Sequence, residues 1–256
     1  MNKEGHYIYG IIGSSQDRNF GPIGIGSRGD EVLTIGYNDL GMVVSNHPLT
    51  KFTVSRDNLI AHEKVIETVM KEFDSVLPVR FGTIASSADE IRNLLDRRYR
   101  EFKNLLKDMD HKIELGVKGM WKDLKTIYQE IALENKEIKN AQEEMRSPKG
   151  GKKLGAKIEL GKLVEDALAK KKEKEQDKVA DTLRRIAFNH KLAKTAGESM
   201  FMNASFLVDK GREKEFDNIM EELTDQNRSR IRFFYAGPLP VFNFVNVEIY
   251  PEEWEK

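Results

Sequence analysis

Five histidines, His6, His47, His62, His111 and His190, are the residues of this sequence best suited to bind a metal or move a proton. No two of them fall at metal-ligand spacing on one helix face, so a zinc site has no support. His62 sits on a helical stretch near several carboxylates, Glu63 and Glu67 among them. An imidazole with a neighbouring carboxylate is the raw material of a general base. A structural or surface histidine is nevertheless the reading we prefer there. Ser14-Ser15 and Ser86-Ser87 lie in loops with no nucleophile motif around them. Gly24-Ile25-Gly26 and Gly150-Gly151 lack the strand-turn-helix context of a phosphate-binding loop. The residues therefore predict no catalytic group, no cofactor and no metal.

One stretch is locally unusual: Ser75-Val76-Leu77-Pro78-Val79-Arg80-Phe81-Gly82-Thr83. It reads as an apolar strand holding a proline, which cannot donate to a ladder and is confined to edges or bulges. Arg80, between Val79 and Phe81, is expected in partly apolar surroundings, where a guanidinium needs a partner. A carboxylate that anchors the strand is the preferred partner; a bound anion is the alternative.

Composition narrows the classes further. Among 256 residues, 42 Lys+Arg balance 42 Asp+Glu, so no global field favours nucleic acid. With no cysteine, disulfides, thiolate metal sites and a cysteine nucleophile are excluded. No apolar run approaches the roughly 20 residues of a membrane span. The polar start, Met1 to His6, is unlike a secretory signal. The expected object is a soluble intracellular protein rich in charged helices.

The elements that must position these residues follow from periodicity. Residues 7–13 read as a first strand, 14–30 as a loop, and Val32 to Gly36 and Gly41 to Ser45 as two strands about a turn at Asn38-Asp39. Asp57 is placed to cap a helix running to about Phe73, with Leu59, Ile60, Val65, Ile66, Val69 and Met70 at helical spacing. A helix from Ala88 to Met109 completes an α+β domain over residues 1–110. A second unit, 111–236, opens on the alternating strand Ile113, Leu115, Val117 and continues with a helix from Trp121 to Arg146. Ser147-Pro148-Lys149-Gly150-Gly151 breaks that helix, and a long charged one follows from Leu154 to Ala196. Its lysine block at 170–174 reads as a solvated face. A strand at 200–208, a helix at 211–224 and a strand at 231–235 come next. Gly237-Pro238-Leu239-Pro240 is a rigid turn that opens an extended tail, 237–256. Phe233, Phe234, Tyr235, Phe242 and Phe244 surround that turn and Trp254 follows. Such aromatics either pack back on their own domain, the preferred reading, or face a partner.

Taken in order along the chain, several segments resemble the gas vesicle protein GvpF/GvpL family. These are Tyr7-Ile8-Tyr9-Gly10-Ile11, Val43-Val44-Ser45, Ala61-His62-Glu63, and the Val76 to Thr83 segment. They continue with Glu114-Leu115-Gly116-Val117-Lys118, Ser147-Pro148, and Asn203-Ala204-Ser205-Phe206-Leu207-Val208. Gly237-Pro238-Leu239-Pro240-Val241-Phe242-Asn243-Phe244 is similar to the family's closing motif, with Leu239, Val241, Phe242 and Asn243 in place of Trp, Pro, Tyr and Ser. The resemblance implies an N-terminal α+β domain and a C-terminal modified ferredoxin-like domain. It implies a non-enzymatic accessory protein for gas vesicle assembly, cytoplasmic or vesicle-associated. Its partners would be the small hydrophobic shell protein GvpA and other gas vesicle accessory proteins, with no nucleic acid and no membrane. Candidate structural or interaction residues are then His62, Pro78, Arg80, Phe81, Pro238, Pro240, Phe242 and Phe244. The alternative is a ligand- or anion-binding regulatory protein using Arg80 or Arg232. An enzyme built on His62 ranks last and requires a cleft around that residue.

Overall fold

A computed structural model describes residues 4–26, 28–49, 54–146 and 153–250. The break expected at Ser147 to Gly151, and Trp254, lie outside the described residues. The chain is an α+β protein that divides into two compact units. One gathers Met1–Glu114, Asp209–Gly211 and Gly237–Lys256; the other gathers Leu115–Val208 and Arg212–Ala236.

The first unit is built on β1 (Glu4–Ile12), β2 (Val32–Tyr37), β3 (Leu40–Pro48), β4 (Val76–Pro78) and β5 (Ile84–Ala85). Its strands run in the order β2-β3-β1-β4, with β5 also paired to β1, all antiparallel. β1 is central, and Tyr7, Ile8, Tyr9, Ile11 and Ile12 are all fully buried. That explains why it reads as a continuous apolar run rather than an alternation. β4 ends the sheet path, so Pro78, opposite Gly10, needs no ladder donor on its far side. A Cβ at Gly10 would lie 2.9 Å from the Leu77 carbonyl oxygen, which holds that position to glycine.

Three helices complete this unit: α1 (Arg56–Val69), α2 (Ala88–Arg97) and α3 (Tyr99–Asp108). Ser55, not Asp57, caps α1: its side chain accepts from the Asn58 amide at 3.2 Å, and Asp57 sits in the first turn. The single helix expected from Ala88 to Met109 is two, because Arg98 departs to φ −101°, ψ 17°. The apolar stripe continues across that break (Ile91, Leu94 and Leu95, then Phe102 and Leu106), so periodicity alone does not reveal it. Val65, Ile66 and Val69 of α1 join Tyr7, Tyr9, Ile12 and Val43 in one core. Leu59 and Ile60, which share its apolar pattern, are instead 44% and 51% exposed.

The second unit contains β6 (Lys112–Trp121), α4 (Leu124–Glu134), α5 (Lys136–Arg146), α6 (Lys153–Leu183), β7 (Ala187–Leu192), β8 (Met200–Asp209), α7 (Glu213–Gln226) and β9 (Ile231–Leu239). Its sheet runs β7-β8-β6-β9. Two expectations are corrected here. The helix predicted to reach Ala196 stops at Leu183, and the chain returns as β7, antiparallel to β8. β7 is an edge strand exposed on both faces, so it carries no period-2 signal. The turn expected at Gly237 to Pro240 is the end of β9, also an edge strand, where Pro238 follows a cis peptide bond.

The lysine block is not one solvated face either. Lys171 is only 12% exposed and bridges Glu130 at 3.0 Å and Glu134 at 2.8 Å. Glu130 also takes a two-pronged bond from Arg230, which reaches Glu175 at 3.4 Å. This network ties α4, α6 and the start of β9 together by charge rather than by apolar contact. Among the described residues no helix is long and apolar enough to cross a membrane.

Candidate functional site

His62 lies nearly two turns into α1, on its buried face, and the fold encloses it in aromatic rings. Tyr9 is 5.5 Å away centroid to centroid, Phe81 5.6 Å, Tyr7 5.7 Å and Phe242 6.1 Å. The Tyr7 hydroxyl accepts from the Gly82 amide and stands 3.0 Å from His62 Nδ1. That contact joins the tyrosine hydroxyl and the imidazole in one hydrogen bond, with Gly82 as a second partner of the hydroxyl. Burial pushes the His62 pKa down to about 4, opposed only in part by the backbone of Val79. The ring is therefore neutral at pH 7, and its Nε2 is buried with no hydrogen-bond partner among the described residues.

Above this floor opens a pocket of about 470 Å³. One side is α1, through Leu59, His62 and Glu63; a second is the strap Pro78, Arg80 and Phe81; the third is Phe242 with Val245 to Glu248. The sides are joined by backbone. Val79 donates to the Tyr9 carbonyl at 2.9 Å, pairs with Val247 in an isolated parallel bridge, and Arg80 N–H reaches the Val247 carbonyl at 3.4 Å. Glu114 secures the third side from below. It is 2% exposed, and its carboxylate accepts from the Asn243 backbone amide at 3.0 Å and from Asn243 Nδ2 at 2.5 Å.

Five of the eight residues singled out from the sequence thus meet here: His62, Pro78, Arg80, Phe81 and Phe242. Phe244, half-buried, and Pro240, whose carbonyl accepts from the Phe242 amide, shape the turn behind Phe242; Pro238 is exposed on β9. Arg80 is a correction. The strand stops at Pro78, and the Arg80 side chain is 71% exposed, with only Glu248 opposite it at 3.7 Å. A surface pair at that distance holds little. Arg80→Ala is accordingly expected to move the thermal midpoint by no more than about 2 °C, checked by calorimetry. Leu59, Val245 and Val247 were missed as a group, because their meeting depends on a contact between chain segments far apart in sequence. Leu59 is in helical register with His62 and Ile66, so its spacing gives no sign that it is left in the pocket wall.

The cleft that a catalytic reading of His62 requires is present, but its imidazole is a weak base and is held by Tyr7. Among the described residues no group of three His, Asp or Glu side chains could hold a metal ion. What the arrangement offers is an apolar, aromatic-floored recess with a few charges on its rim, the geometry of a binding protein.

The chain belongs to the gas vesicle synthesis protein GvpL/GvpF family, whose model matches residues 5–246. It is 28% identical to gas vesicle protein F of a Streptomyces species over 242 residues, 93% of this chain and 98% of that protein. It is 24% identical to gas vesicle protein F1 of Halobacterium salinarum over 252 residues, 98% of this chain and 97% of that one. The crystal structure of GvpF from Anabaena sp. PCC7120 shares the fold, with a TM-score of 0.82 at 24% identity, covering 95% of this chain and 99% of the other.

Proposed function

We propose that this protein is a non-enzymatic assembly factor for gas vesicles that binds the hydrophobic shell subunit GvpA, in the cytoplasm or at the growing vesicle, through the His62–Phe242 pocket. The observation that carries the proposal is an open pocket flanked by apolar side chains left in water: Leu59 at 44% and Phe242 at 40% exposure. Both side chains stay partly in water among the described residues, and a shell subunit awaiting polymerisation exposes apolar surface that needs cover. Aromatic residues at the centre of a recess are the usual anchors of such contacts. Capture of purified GvpA in a pull-down, and suppression of its light scattering, test this. Phe242→Ser, at a half-exposed site, is expected to leave the fold intact and weaken capture about fivefold. Failure of the unaltered protein both to capture the subunit and to change its aggregation overturns the reading. A small anionic ligand held by Arg80 is the second reading, favoured by the exposure of that guanidinium at the pocket rim. A dose-dependent rise in melting temperature with phosphate or nucleotides would support it.

A further inference from the structure

The charges around the pocket do not balance, and the imbalance says what the occupant carries. Arg80 and Glu248 stand 3.7 Å apart on the rim, so their opposite charges offset one another in its net charge. Glu248 in turn accepts from the Tyr250 hydroxyl at 2.5 Å. Glu63, which lines the same pocket on the α1 side, has no ion pair and no hydrogen bond among the described residues. It is half-buried, and one turn further along α1 stands another carboxylate, Glu67, also without a counter-ion. Burial first, and the like charge of Glu67 second, push the Glu63 carboxyl above its usual range. A partly buried carboxylate with a like-charged neighbour is destabilised until a cation reaches it.

We propose that the pocket recognises an apolar side chain accompanied by a cation. The occupant is a partner segment that seats an aliphatic or aromatic group against Leu59, Phe81 and Phe242 and sets a lysine or arginine over Glu63. The lining fits both halves: apolar floor and walls for the anchor, one unanswered carboxylate at the edge for the charge. Lysine and arginine suit this edge because their methylene stems lie along apolar surface while the head group stays at the rim.

The inference rests on the docking reading given above, and small probes separate the two. Hexylamine, hexanol and hexanoate share one alkyl chain and differ in the charge of the head. Titrated into the full chain, with binding followed through the Leu59, Val245 and Val247 methyl resonances, hexylammonium is expected to bind about threefold to tenfold more tightly than hexanol, and hexanoate most weakly. Glu63→Gln, at a half-exposed position, is expected to reduce hexylammonium to the affinity of hexanol while leaving hexanol unchanged. Equal affinity for amine and alcohol overturns the proposal, as do an amine preference that survives Glu63→Gln, tightest binding of hexanoate, or no response of these methyls to any probe. Loss of GvpA capture in Phe242→Ser together with no amine preference would sink the cation requirement alone. An amine preference without any GvpA capture would sink the choice of partner alone.

Discussion

Glu114→Ala is expected to lower the stability of the first unit by about 2–3 kcal/mol, read as a shift in the denaturant midpoint. The carboxylate is buried and serves as acceptor for two donors of one residue, the backbone amide and the side-chain amide of Asn243. Hydrogen bonds to a charged group are the stronger kind, and removing this acceptor leaves part-buried donors unmet. The local consequence is larger than the global one. The turn in which Phe244 and Val245 donate to the Val241 carbonyl is held down at Asn243, and it carries Phe242 and Val245 into the pocket wall. Hydrogen exchange at Val245 is therefore expected to accelerate more than exchange at β1. Glu114→Gln keeps one acceptor oxygen and is expected to cost about half as much. An unchanged Val245 exchange rate in Glu114→Ala would show that the turn stands without this bond.

Arg230→Ala is expected to cost the second unit about 2 kcal/mol. Arg230 is about a third exposed, so water screens part of its charge. Its removal leaves Glu175, only 14% exposed, without its cation, and leaves Glu130 dependent on Lys171. The same network predicts a pH dependence of defined sign. The bond from Arg230, then that from Lys171, holds the Glu130 carboxyl down at about 2, against an ordinary 4.5. A folded-state value below the unfolded one means that the stabilisation is present in full above about pH 4.5 and is lost as pH falls through about 2. The stability gap between the parent protein and Glu130→Gln should accordingly be constant from neutral pH to about 5, then close toward pH 2. A gap that widened on acidification would contradict the assignment.

How far the sequence carries the fold depends on which elements bury enough side chains to leave an apolar pattern. β3 and β8 read correctly because their burial leaves a recognisable apolar pattern. β7 does not, since an edge strand wet on both faces looks like more of the charged helix before it. The splits at Arg98 and Asn135 are invisible for a related reason: a one-residue departure from helical dihedrals disturbs no apolar spacing. At the candidate site the sequence marks the residues but not their relation. Pro78, Arg80, Phe81 and His62 are unusual locally, and Phe242 belongs to an aromatic cluster. That these meet is decided by the Val79–Val247 bridge and the Glu114–Asn243 bonds, pairings between distant segments that no local pattern encodes. Arg80 was misread because apolar neighbours in sequence were taken for apolar surroundings in space. Once the strand ends at Pro78, the alternation that would set Arg80 on the same face as Pro78 no longer holds.

The discontinuity of the first unit has a consequence for biosynthesis. Its sheet and helices are encoded by residue 114, yet the segment that completes the recess, 242–248, is translated only after the whole of the second unit. A ribosome making this protein therefore exposes the α1 side and the Pro78–Phe81 strap early, with nothing opposite them. The finished recess appears only once residues 242–248 have emerged. Until then the α1 and Pro78–Phe81 sides of the recess stand without their third side.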